Sequence, residues 1–157
     1  MSNVKIIAQY IKNLSFEIPE APQVFLSAQE KPEINLSINI DAKKIAAASE
    51  ENPKNDIFEI TLEITANAAS KKNKNFICKV AYSGIFSIQS NIETEILEQI
   101  LLIYCPNLLF PFIRRIVTNA TIDGGFPPLM IDPIDFTELY NKRKAAAAAQ
   151  PVNDTKN

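Results

Sequence analysis

Three carboxylates, Asp123, Asp132 and Asp135, flank the apolar stretch Gly-Gly-Phe-Pro-Pro-Leu-Met-Ile, and neighbouring carboxylates can divide general acid and general base work between them. The same residue type also caps helices and makes turns. Asp123 precedes Gly124-Gly125 where a helical pattern ends, and Asp135 stands just ahead of Phe136, Leu139 and Tyr140 at helical spacing. The chain contains no histidine, which excludes Ser-His-Asp and Cys-His arrangements, imidazole metal ligands and a near-neutral base. Its two cysteines, Cys78 and Cys105, sit in apolar surroundings and read as buried free thiols, too few for a structural zinc site. With three glycines, Gly84, Gly124 and Gly125, neither a P-loop nor a dinucleotide fingerprint can be written. No constellation nominates an enzyme, and no cofactor or metal is expected.

The unusual chemistry of the chain is apolar side chains where connections are ordinarily polar. From Gly125 to Ile131 the sequence carries Phe126, Pro127, Pro128, Leu129, Met130 and Ile131. A second such stretch, Pro19 to Pro32, holds Val24, Phe25 and Leu26 among Pro19, Pro22 and Pro32, and is long for a link between neighbouring strands. Side by side near the last helix, the two would join Phe136 and Tyr140 in a trough of aromatic and aliphatic groups. Such a trough makes few hydrogen-bonding demands and accepts extended apolar segments without reading their sequence. The alternative is that both loops simply seal the edge of the core.

The elements that must position these loops follow from periodicity. Four segments alternate in polarity with a period of two, as half-buried strands do. In the first, Ala8, Tyr10, Leu14, Phe16 and Ile18 share one face and Gln9, Asn13, Ser15 and Glu17 the other, with Lys12 interrupting the apolar side. Ile34, Leu36, Ile38 and Ile40 mark the second; Phe58, Ile60, Leu62, Ile64 and Ala66 the third; Phe76, Cys78, Val80, Tyr82, Phe86 and Ile88 the fourth. One covered and one wet face is the habit of antiparallel sheets. Asn67 to Asn75 reads as a hairpin turn, and Ala42 to Asn55 as a longer excursion of weak helical character.

Helical spacing then takes over. Ile92, Ile96, Leu97, Ile100 and Leu101 mark one helix, and Leu108, Leu109, Phe112, Ile113, Ile116 and Val117 a second, with Pro106 and Pro111 breaking or kinking the chain or standing in a first turn. Gly124 and Gly125 stop the second helix by supplying positive φ. Strands first and helices after is the α+β pattern: a four-stranded antiparallel sheet with helices packed on one face. The consecutive Leu101, Leu102, Ile103 and Tyr104 are too apolar all round for a lone surface helix and point to a protomer interface.

Its 157 residues make one domain, expected over 1–149, with a disordered polar tail over 150–157. A net charge of −2 lacks the basic surplus that nucleic-acid binding requires. Lys71-Lys72 reads as a solvated turn, and Lys142-Arg143-Lys144 as suited to the negative end of a helix. Neither a secretory signal nor a run of about 20 apolar residues is visible, so a cytoplasmic protein without membrane insertion is expected.

Between Tyr10 and Tyr140 the chain resembles the SecB family of protein-export chaperones. The resemblance rests on Tyr-Ile-Lys-Asn-Leu-Ser-Phe-Glu from Tyr10, then Pro19, Pro22, Val24 and Phe25; Gly-Ile-Phe-Ser-Ile from Gly84; Tyr-Cys-Pro-Asn-Leu-Leu-Phe-Pro-Phe-Ile-Arg-Arg from Tyr104; Gly-Gly-Phe-Pro-Pro-Leu from Gly124; and Asp-Pro-Ile-Asp-Phe-Thr-Glu-Leu-Tyr from Asp132. It implies an ATP-independent chaperone, a dimer of dimers, that holds unfolded precursor polypeptides and delivers them to the translocation motor SecA. It further implies a substrate groove bordered by Val24, Phe25, Leu26, Phe126, Pro127, Leu129, Phe136 and Tyr140. SecA would dock on the wet sheet face around Asn13, Glu17, Ile77 and Lys79. Two departures stand out. The tryptophan usual in the crossover is replaced near Gln29 or Glu30, and Asn13 and Lys79 stand where the family commonly has carboxylates. A protein-interaction module holding one defined partner is the alternative function.

Overall fold

The computed structural model describes residues 4–27 and 30–149; Gln29 and the tail expected over 150–157 lie outside them. Strands β1 (Val4–Glu17), β2 (Glu33–Ala46), β3 (Asn55–Ala69) and β4 (Lys74–Gln89) form one antiparallel sheet in the order β1-β4-β3-β2. Helices α1 (Thr94–Asp123) and α2 (Phe136–Ala149) follow. The central strands explain the layering. On β3, Phe58, Ile60, Leu62, Ile64, Ala66 and Ala68 are all buried, and antiparallel pairing sets Leu62 opposite Tyr82 and Ile64 opposite Val80 on the same face. Against that face α1 lays Leu109, Ile113 and Val117, each fully buried.

Where β1 departs from simple alternation, hydrogen-bond register decides. Its pairing with β4 slips between Ile6 and Ala8 and again between Ile11 and Asn13, and each slip moves every later side chain to the other face. Ala8 and Tyr10 therefore do not share a face with Leu14 and Phe16: Tyr10 lies opposite Ser83, whereas Leu14 and Phe16 lie opposite Val80 and Cys78. Lys12, the apparent interruption, is the residue at the second bulge. It reaches the uncovered face and pairs with Glu59 at 2.7 Å, where the Tyr10 hydroxyl also donates a hydrogen bond to Glu59. Lys12 first and Tyr10 second hold the Glu59 carboxyl below its ordinary range.

The Ala42–Asn55 region is not helical. β2 continues through Ala46, with Lys43 opposite Glu59, because pairing with β3 outweighs the local preference of alanine. Asp56 accepts the Ala48 N–H at 2.8 Å and pairs with Lys44 at 3.1 Å, closing the turn.

Two helices were expected before the Gly-Gly stop, and one continuous helix is found. Ile100–Tyr104 forms a π-turn in which the Cys105 N–H donates to the Ile100 carbonyl five residues back. The wider turn lies directly ahead of Pro106, whose ring would press on the carbonyl four residues back in a regular helix. Joined in this way, α1 reaches 30 residues with a mean hydropathy of 1.7 over an 18-residue window, long and apolar enough by composition to pass for a membrane span. Here part of that apolarity is buried, Leu109, Ile113 and Val117 against the sheet and Phe110 against Phe136 of α2. The stop also differs from expectation. Gly125 has a φ of +85°, but Gly124 is right-handed at −73° and is small for another reason: a Cβ there would meet the Phe16 ring at 2.4 Å.

Candidate functional site

At the end of the sheet where β2 and β4 begin and β3 ends, a surface groove of about 450 Å³ opens. Pro32 and Ile34 form one wall, Phe126, Pro127, Pro128 and Leu129 the other, and Asn75 and Phe76 the base, with Glu30 and Lys31 at the rim. Beneath it four aromatic rings pack together. Phe16 stacks on Phe76 with centroids 5.2 Å apart, and Phe126 lies 5.0 Å from Phe76 and 5.3 Å from Phe25. Such pairs contribute about 0.5–1.5 kcal/mol each beyond the area they bury, which favours keeping the base packed in this arrangement.

The loop wall is latched to α1 by two threonines. The Leu129 N–H donates to the Thr121 hydroxyl at 3.0 Å, and the Thr118 hydroxyl lies 2.7 Å from the Leu129 carbonyl. Phe126 donates its N–H to the Thr121 carbonyl at 3.0 Å. Both polar groups of Leu129 are thus satisfied from inside, and its side chain can present an apolar surface. The crossover is fastened at the opposite end: the Lys74 N–H donates to Glu20 at 2.6 Å, and the Asn73 amide to Ser27 at 3.2 Å.

The residues picked out for the trough separate into three places. Phe126, Pro127 and Leu129 line the groove. Val24 is buried at 3% exposure under the crossover, Phe25 covers the back of Phe126, and Leu26 is 82% exposed. Phe136 and Tyr140 lie elsewhere, because α2 docks over the middle of α1 rather than beside the loop: Phe136 packs edge-on against Phe110, and the Tyr140 hydroxyl donates to Glu98 at 3.0 Å. Tyr140 instead borders two smaller clefts beside α2. Phe76, Ile34 and Asn75 were not anticipated. Phe76 and Ile34 open the apolar alternation of β4 and β2, and antiparallel order brings those two ends together.

On the uncovered face, Glu17 lies opposite Ile77, Ser15 opposite Lys79 and Asn13 opposite Ala81. Lys79 is not a lone cation there; its ammonium is 3.6 Å from Glu63. The three aspartates do not assemble: Asp135 caps α2 by accepting the Glu138 N–H at 2.9 Å, and the described residues contain no acidic or thiol cluster able to hold a metal. Burial pushes the Cys105 thiol up to about 12 and the Cys78 thiol upward as well, so both are poor nucleophiles.

Comparison with known proteins places this geometry. Residues 1–147 match the family model described as preprotein translocase subunit SecB. The protein-export protein SecB of Parvibaculum lavamentivorans is 44% identical over 153 residues, covering 94% of this chain and 86% of that protein. Its namesake in Anaplasma marginale is 38% identical over 140 residues, covering 87% and 80%. Among solved structures, a SecB-like chaperone of Mycobacterium tuberculosis, in complex with a ChAD peptide from the HigA1 antitoxin, aligns with a TM-score of 0.64 at 14% identity, covering 85% of this chain and 88% of that one.

Proposed function

The chain belongs to the SecB family of export chaperones, and from that premise we propose that the groove between Ile34 and Leu129 is where it holds unfolded precursor polypeptides. The observation that carries this is an apolar furrow of about 450 Å³, open at the surface, its loop wall held to α1 by hydrogen bonds and Ile34 of the other wall held by the pairing of β2 with β3. Burying one Leu or Phe of a substrate yields ~1.5–3 kcal/mol, most of which is offset by ordering the segment. A single groove therefore binds weakly. Several grooves on one assembly, engaged by one long chain, gain ~100-fold or more per added site where the geometry allows. Folded proteins conceal such segments and unfolded ones expose many, so selection needs neither a motif nor ATP.

Assembly into a dimer of dimers is part of this proposal. The helices leave the inner side of β1 uncovered, where Ile6, Ile11 and Leu14 are exposed beside Phe112 of α1. We also assign the face carrying Asn13, Glu17, Ile77 and Lys79 to SecA, in the cytoplasm, with docking weakened because Lys79 ties up Glu63. A module holding one defined partner is the second reading, favoured by the single antitoxin peptide in the mycobacterial complex. The test is titration with several unrelated polypeptides, each folded and unfolded. Uptake of all the unfolded forms, none of the folded ones, and loss of uptake in Ile34→Asp supports the chaperone; uptake of only one polypeptide supports the module.

A further inference from the structure

Asn75 sits in the base of the groove with its side-chain oxygen buried and without a hydrogen-bond partner. It is 8% exposed, and its position is the work of a bulge: Ala68 pairs with Phe76 and Ala69 with Lys74, leaving Asn75 as the extra residue. Regular alternation would have turned it away from Phe76; bulges re-aim single side chains in this way, often next to functional sites. No backbone strain explains the choice of residue, since among the described residues no non-glycine residue has positive φ.

An unpaired buried carbonyl is destabilising, and native structures retain few. The surroundings suggest its use. A polypeptide entering the groove must desolvate its own backbone, which is costly unless its N–H and C=O groups find partners. The Asn75 amide matches a peptide group in shape, with one acceptor and two donors. Turning about its soft terminal torsion, it surrenders no bond from its oxygen.

We propose that Asn75 is the backbone anchor of the groove, its side-chain oxygen accepting an N–H from the bound extended segment whatever that segment's side chains are. This rests on the groove's holding unfolded chains and adds the polar contact that fixes the segment's depth and register. It also predicts discrimination against proline at one position, where the N–H is missing.

The experiment uses overlapping synthetic peptides from one reduced, carboxymethylated secreted protein, with the tightest binder also made with backbone N-methylation at each position in turn. Asn75→Ala should bind the parent peptide about fivefold to tenfold more weakly than the native chain. One N-methylated position should lose a similar factor with the native chain and nothing further with Asn75→Ala. The variant should melt at the same temperature or higher, since it removes an unsatisfied group. Equal affinity for the two proteins, an N-methylation penalty that persists in Asn75→Ala, or a lowered melting temperature would each overturn the anchor while leaving the groove in place. Failure of the native chain to bind any peptide would overturn the groove reading and the anchor with it.

Discussion

At Gly84 an added methyl would meet the Phe86 ring at 2.6 Å and Leu109 at 3.0 Å, and both of those side chains are fully buried. Gly84→Ala should therefore lower stability by about 1–3 kcal/mol through overpacking, read as a reduced urea midpoint with unchanged slope. The Gly-Ile-Phe-Ser-Ile motif was conspicuous in the sequence, but its reason, the Phe86 ring folded over Gly84 with Leu109 of α1 pressing beside it, depends on a ring placement and on a contact 25 positions away that could not be read from spacing. Charge offers a second prediction at this scale. Lys12 and then Tyr10 depress Glu59 below its ordinary 4.5, and the Ala48 N–H and then Lys44 depress Asp56 below 3.8. Groups with folded values below their unfolded ones contribute stability that is complete above those ordinary values and lost as pH falls through the folded ones. Glu59→Gln with Asp56→Asn should thus lower stability at neutral pH by roughly 1 kcal/mol and flatten its decline on acidification, as followed by urea unfolding across the acid range.

Among the elements, the apolar loop from Phe126 to Ile131 was legible as exceptional, while the threonines that hold it were not, because Thr118 and Thr121 look like ordinary helix residues until Leu129 is placed on them. Thr121→Val preserves shape and removes the oxygen that accepts the Leu129 N–H. It should cost about 1–3 kcal/mol, speed amide exchange at Leu129 and weaken peptide uptake, measured by hydrogen exchange and titration. Strand identities were likewise legible from alternation, but the two slips in β1 were not, since they depend on which β4 partner each residue takes. Those slips decide which side chains share the uncovered face with Lys79. With Lys79 paired to Glu63 at 3.6 Å, Lys79→Glu should tighten SecA binding by a few-fold in calorimetry, exposed charges being worth ~0–1 kcal/mol each. Tight native binding that vanishes in Glu17→Ala, with Lys79 immaterial, would contradict this.

For the whole molecule, the α+β order was readable from the switch between periods of two and 3.6, whereas the continuity of α1 through Pro106 and the docking of α2 away from the loop were not. A π-turn and an interhelical contact decide those, and Phe136 and Tyr140 moved out of the expected trough as a result. The exposed Ile6, Ile11 and Leu14 on β1 leave one chain with an unfinished surface, so Ile11→Lys with Leu14→Lys should reduce the assembly's mass in sedimentation without unfolding it. The central claim, that open apolar grooves on a multimeric SecB-family body hold unfolded chains, is tested most directly by native mass spectrometry before and after adding one reduced, unfolded polypeptide and, separately, its folded form. The account predicts a tetramer that gains the mass of one unfolded chain and none of the folded one; a monomer that gains neither would contradict it.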